Sequence, residues 1–139
     1  MRGDFLLQEE ELSVAAKPDA KTILVVEDDE DTRLLFTEAF SMLTPYEVQV
    51  ARNSTEALHF VKHRKPDLFI LDYRLPQTNG IELYDQLHTI PGLENIPAII
   101  ISGIASDQVT RDIDSRKLLR IDKPFDLDEF LDAIKQALG

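Results

Sequence analysis

Cysteine is absent from the chain. That excludes a disulfide scaffold, a Cys-ligated zinc site and a thiol nucleophile. Positive charge is scarce: 15 Lys and Arg stand against 26 Asp and Glu, a formal net charge of −11. Binding to nucleic acid rests on cations neutralising phosphates, so direct nucleic-acid binding is not expected. An anionic membrane surface is disfavoured for the same reason. No apolar run approaches the ~20 residues of a membrane span. The opening MRGDFLLQEEEL has too short an apolar stretch and too many acids for a secretory signal, so a cytoplasmic location is expected. The remaining composition is ordinary. A chain of 139 residues, 43% hydrophobic and 29% charged, is the size of one globular domain. It buries enough surface to fold without staples.

Residues 1–20 carry no strand pattern, and their Leu6, Leu7 and Leu12 support at most one short helix. They read as a flexible arm or short helix before a domain spanning 21–139. From there the chain alternates. Ile23–Val26, Leu68–Leu71, Ala98–Ile101 and Leu118–Ile121 are short, almost wholly apolar runs. Strands apolar on both faces belong in a parallel sheet covered on both sides. Glu47–Val50 alternates instead and suits an edge strand. Amphipathic stretches at about 31–43, 54–65, 80–89, 105–115 and 127–138 predict helices. Asn53 with Glu56, and Asp126 with Glu129, form capping boxes for the second and last. Five βα units in succession imply an open α/β sheet with right-handed crossovers. There is no internal repeat and no sign of a second domain.

Ligands of open α/β sheets sit beyond the carboxyl ends of the strands. The first strand ends in Glu27-Asp28, with Asp29, Glu30 and Asp31 behind; the third ends in Asp72, the fourth in Ser102, and the fifth leads to Lys123. Acids, a hydroxyl and an ammonium therefore converge on one edge. Carboxylates crowded at one point raise one another's pKa values, and a hard divalent cation relieves them. Oxygen-only ligands select Mg²⁺, or Mn²⁺, over zinc. A hydroxyl and a Lys beside such an ion equip a site for phosphoryl transfer, with one carboxylate as nucleophile.

The run Ile23-Leu24-Val25-Val26-Glu27-Asp28-Asp29-Glu30, then Leu71-Asp72-Tyr73-Arg74-Leu75-Pro76 with Gly80, then Ser102, then Lys123-Pro124-Phe125, resembles the receiver domain of two-component response regulators. The resemblance covers residues 21–139. It implies a flavodoxin-like three-layer sandwich with a five-stranded parallel sheet of order 2-1-3-4-5 and five flanking helices. It implies a phosphoacceptor rather than an enzyme. Asp72 would take a phosphoryl group from a sensor histidine kinase or phosphotransfer protein. Asp28, Asp72 and the Arg74 carbonyl would ligate Mg²⁺, and Glu27 would hold a metal-bound water. Lys123 would pair with Asp72 and then with the phosphoryl oxygens, Ser102 would swing in to close the site, and the Lys123–Pro124 bond would be cis. The output would be a shape change on the face of the fourth helix, fifth strand and fifth helix. An unknown downstream protein would read that face, and a homodimer through it is allowed.

Three features depart from the family pattern. Arg120 stands where an aromatic usually turns inward; a guanidinium resists an apolar slot, so Arg120 is expected to face solvent and pair with a nearby acid. The stretch Arg111–Lys117 lacks the usual Gly-Ala pair, so a short or irregular fourth helix and an unusual output face are expected. Arg74 and Ile104 occupy the two positions that tune dephosphorylation in the family; neither activates water, which implies a slowly decaying phosphoryl group. Other features read blandly. Glu30 and Asp31 suit the start of a helix. His59 and His63 lie i, i+4 on an exposed helix face without a third ligand. Asp29-Glu30-Asp31-Thr32 loosely fits a haloacid-dehalogenase-like phosphatase, but its register is wrong. A receiver fragment of a longer effector protein is a further alternative.

Overall fold

The computed structural model of the protein describes residues 20–104 and 106–139. The reading of residues 1–20 as an arm therefore lies, but for Ala20, outside the described residues. Strands and helices alternate as β1 (Thr22–Val26), α1 (Glu30–Leu43), β2 (Glu47–Ala51), α2 (Ser54–Val61), β3 (Leu68–Asp72), α3 (Gly80–His88), β4 (Ala98–Ser102), α4 (Asp107–Ser115), β5 (Leu119–Asp122) and α5 (Leu127–Leu138). All neighbouring strands pair in parallel, in the order β2-β1-β3-β4-β5. This is the expected flavodoxin-like topology. No helix among the described residues is long and apolar enough to cross a membrane.

The strand sequences explain the layering. Side chains alternate across a strand, so an all-apolar strand feeds two cores. Ile23 and Val25 of β1 face Phe36 and Phe40 of α1 and Phe130 and Ile134 of α5. Leu24 and Val26 face Ala57 of α2, Leu83 and Leu87 of α3, and Val109 and Ile113 of α4. Three inner strands, β1, β3 and β4, are buried along their whole length. The β2 strand is an edge and only its last residue is buried, as its alternating sequence predicts.

Helix starts follow local side-chain chemistry. Asp29, Asn53, Asn79, Ser106 and Asp126 each accept the backbone N–H three residues on, capping the five helices. Three boundaries differ from expectation. First, α2 stops at Val61 rather than near 65. The N–H groups of Lys62 and His63 turn to carbonyls three residues back, and Pro66 disfavours helical backbone at Lys65. Second, α4 is short, 9 residues from Asp107 to Ser115, but regular. It ends with Lys117 in the left-handed region at φ 56, the place glycine usually takes. Third, an unexpected antiparallel ribbon pairs Arg74–Leu75 with Thr78–Asn79 outside the main sheet.

Phe130 lies at the centre of an aromatic group with Phe36 at 5.0 Å, Phe125 at 5.3 Å and Phe40 at 5.7 Å between ring centroids. Removing it leaves a cavity among these rings. Phe130→Ala is expected to cost about 3–5 kcal/mol of folding stability, read as a lower denaturant midpoint.

Candidate functional site

Register brings the strand ends level. Val26 pairs with Leu71, Asp72 with Ile101, and Ser102 with Asp122. One further bond carries each strand past its end. Glu27 N–H donates to the Ala51 carbonyl at 2.9 Å, Tyr73 N–H to Ile101 at 2.8 Å, and Lys123 N–H to Ser102 at 2.8 Å. The residues that matter are thus on backbone held by the sheet rather than on free loops.

The connection after Asp72 is folded back tightly. Arg74 N–H donates to Asp72 Oδ1 at 3.2 Å, and Gly80 N–H donates to the Tyr73 carbonyl at 2.8 Å. A Cβ on Gly80 would stand 2.6 Å from the Asp72 carbonyl oxygen. Only glycine permits that approach. Gly80 therefore does more than mark a turn: it lets the ribbon close against the strand that carries Asp72. The Lys123–Pro124 bond is cis, as the resemblance implied.

Glu27, Asp28 and Asp72 each place a carboxylate oxygen within 4.8 Å of the others. Glu27 and Asp72 are 2% and 5% exposed, while Asp28 faces solvent. Lys123 reaches in from the far strand, with Nζ 2.9 Å from Asp72 Oδ2 and 3.8 Å from Glu27 Oε1. Burial works against its charge. The Asp72 hydrogen bond and the charges of Asp72, Glu27 and Asp28 outweigh that, and the ammonium's pKa is raised. Glu27 is served less well. Asp29 N–H donates to its Oε2 at 3.1 Å, but Oε1 is buried with no hydrogen-bond partner. Burial first, then the adjoining Asp72 carboxyl, push the Glu27 carboxyl up to about 8; the Asp29 amide and Lys123 offset only part of this.

Ser102 is buried at the same edge but does not touch Asp72 among the bonds it makes. Its hydroxyl accepts from Ile104 N–H at 3.0 Å and donates to the Ile104 carbonyl at 3.2 Å. Arg120 pairs with an acid as expected, namely Asp122. Its side chain is only 21% exposed, however, and it does not project into solvent. It bonds the Ile104 carbonyl at 2.8 Å and Thr110 Oγ1 at 3.1 Å. Arg33 was not foreseen; its guanidinium donates to the Glu27 carbonyl at 2.9 Å. Nothing in the pattern of α1 marks it, since the contact depends on how the helix docks. His59 lies on α2 but His63 falls beyond its end at Val61, so the two do not share a helix face as expected; their rings meet edge to face with centroids 5.1 Å apart and join no larger group of ligating side chains among the described residues.

Comparison with known proteins agrees with this geometry. The family model of the response regulator receiver domain matches residues 23–135. The chain is 35% identical over 117 residues to sporulation initiation phosphotransferase F of Bacillus subtilis, covering 84% of this chain and 92% of that one. It is 30% identical over 125 residues to the polar-differentiation response regulator DivK of Brucella anthropi, covering 86% and 97%. Among solved structures it resembles the signal receiver domain of an HD domain-containing protein from Pseudomonas fluorescens Pf-5. That match has a TM-score of 0.77 at 30% identity, over 86% of this chain and 94% of that one. Asp29, the first acid of the phosphatase-like stretch, accepts the N–H and hydroxyl of Thr32 as the cap of α1.

The Glu27 carboxyl has a pH signature. Its folded value near 8 stands above its ordinary 4.5. Between those values the folded protein keeps a proton that the unfolded chain has released, so rising pH favours unfolding. Below the window both states are protonated; above it both are ionised and the loss is complete. In chelator-treated protein, Glu27→Gln is expected to raise stability at pH 8 by on the order of a few kcal/mol. It should change little near pH 4. Thermal melts of both proteins across that range check this.

Proposed function

The chain belongs to the response regulator receiver domain family, and from that premise we propose that it is a phosphoacceptor switch whose acceptor is Asp72. The donor is a phosphohistidine on a sensor histidine kinase or phosphotransfer protein. One observation carries the reading: a buried carboxylate, Asp72, lies 2.9 Å from the Lys123 ammonium and against two further acids. A carboxylate oxygen of Asp72 attacks phosphorus. The bond from phosphorus to the donor imidazole nitrogen breaks, and the imidazole leaves with the electron pair. Asp72 reacts as the anion, so no proton leaves it.

Lys123 has a part on both sides of the step. Its ammonium holds Asp72 in place beforehand and turns to the phosphoryl oxygens afterwards, where negative charge has grown. Ser102 leaves Ile104 for the same oxygens. Steric cover comes from Ile104, and with Arg74 two residues beyond Asp72, no side chain at either position activates a water. The phosphoryl group therefore decays slowly.

The residues fit a hard divalent cation. Glu27, Asp28 and Asp72 offer carboxylate oxygens within 4.8 Å of one another and no nitrogen or sulfur, and Glu27 Oε1 is buried with no hydrogen-bond partner. Asp28, Asp72 and the Arg74 carbonyl would hold Mg²⁺, or Mn²⁺, with Glu27 supporting a bound water. When bound, the ion neutralises charge on the transferring phosphoryl oxygens. Output passes through α4, β5 and α5 to a downstream protein, or to a second copy of the chain. Residues 21–139 form the receiver unit. The reading places the protein in the cytoplasm, as its kinase partner requires.

Incubation with acetyl phosphate and Mg²⁺, read by intact mass, tests the reading. The wild type is expected to gain one phosphoryl group, and Asp72→Asn none. Chelation of Mg²⁺ should abolish the gain. Lys123→Ala should slow it by about 10²-fold. After removal of the donor the group should persist for many minutes; loss within seconds would refute the slow decay. A wild type inert under all these conditions would refute the function.

A further inference from the structure

Ser102 has one hydroxyl proton, and it is given to the Ile104 carbonyl at 3.2 Å. That same oxygen accepts Arg120 Nη2 at 2.8 Å. Both lone pairs of one carbonyl are thus taken, one by the hydroxyl that must move and one by a guanidinium. The remaining N–H groups of Arg120 anchor it elsewhere. One bonds Thr110 Oγ1 of α4 at 3.1 Å and another bonds Asp122 on its own strand. Ser102, Gly103, Ile104, Arg120, Asp122 and Lys123 surround a cavity of about 240 Å³. The segment after β4 therefore stands over open space, propped by a side chain from β5.

We propose that Arg120 is a positioning residue that braces the Ser102–Ile104 segment in its resting arrangement and so opposes closure of Ser102 on the phosphoryl group. The proposal rests on the phosphoacceptor reading. Closure takes the Ser102 hydroxyl away from Ile104 and draws the segment toward Asp72. With Arg120 in place, that movement strains three directional bonds that tie Ile104 to α4 and β5 at once. Without it, the segment can settle into the cavity beside it. The brace depends on geometry and not on charge alone. A lysine ammonium at the same position carries the same charge but lacks the planar fork that reaches three acceptors in three directions.

The test compares wild type, Arg120→Ala, Arg120→Lys and Thr110→Val, each alone and with Ser102→Ala. Melting curves first establish that each is folded. With acetyl phosphate and Mg²⁺, Arg120→Ala and Arg120→Lys are expected to phosphorylate about 5-fold faster than wild type or more, and Thr110→Val by less. In the Ser102→Ala background the acceleration should vanish, because there is no hydroxyl left to restrain. Rates unchanged or lower in Arg120→Ala overturn the proposal. So does an Arg120→Lys that behaves like wild type, which would make the effect one of charge, or an acceleration that survives Ser102→Ala. A second readout needs no phosphoryl group: exchange of the Ile104 amide, bonded to Ser102 Oγ at rest, should rise about tenfold in Arg120→Ala. Unchanged exchange overturns the brace. A wild type that takes no phosphoryl group refutes the phosphoacceptor reading instead, and the exchange rates then decide on Arg120 by themselves.

Discussion

Glu27, Asp28 and Asp72 hold carboxylate oxygens within 4.8 Å of one another, two of them out of water, and their repulsion must be met by positive charge. The structure meets part of it with one ammonium. Lys123 reaches Asp72 at 2.9 Å but Glu27 only at 3.8 Å. This unequal sharing leaves the site under-neutralised. The Glu27 carboxyl answers by holding a proton to about pH 8. A site fully balanced by its own cations would have little to offer a metal ion or a phosphoryl group. In the proposed function, the shortage of positive charge would draw an added cation to this edge, and the nearby ammonium would let further anionic oxygens approach.

Such a site can exist only where the rest of the fold carries its cost. Burying an unpartnered carboxylate oxygen is destabilising. Two apolar layers offset it: one of Ile, Val and Phe side chains beneath α1 and α5, the other beneath α2, α3 and α4. The parallel sheet also gives the site its precision. The site residues come from four strand ends, and the backbone ladder continues one bond beyond three of them, at Glu27, Tyr73 and Lys123. Gly80 contributes from the opposite direction, since its missing Cβ lets the ribbon pack against the Asp72 carbonyl.

The strands and the site were legible in the sequence for one shared reason. Three runs apolar on both faces form the inner strands, a fourth interrupted by Arg120 forms the β5 edge, and polar residues at their carboxyl ends had then to meet. Helix starts were legible too, because caps such as Asn53 and Asp126 act within three residues. What failed was what depends on contacts distant in sequence or on backbone geometry without a residue signature. The run to 65 looked helical by side-chain pattern, yet Pro66 and a tightened turn end α2 at Val61. The Arg74–Leu75 and Thr78–Asn79 ribbon is too short to leave a periodic trace. Arg33 and Arg120 carry no mark of their partners. A surface arginine and one folded against a backbone carbonyl read alike until the carbonyl's place is known.

Arg120 also shows how a position can change its chemistry while the fold does not. An aromatic ring at this place would work by volume, filling or vacating a slot, and would be indifferent to direction. A guanidinium works by angle. It is satisfied only when several acceptors lie in its plane at hydrogen-bond distance, and here Ile104, Thr110 and Asp122 supply them from a loop, a helix and a strand. Its bond to the Ile104 carbonyl is shared with the Ser102 hydroxyl, so one oxygen accepts from both the site and β5. Any event that recruits Ser102 alters the partner list of that oxygen. Because Arg120 also bonds Thr110, the same set of bonds reaches α4.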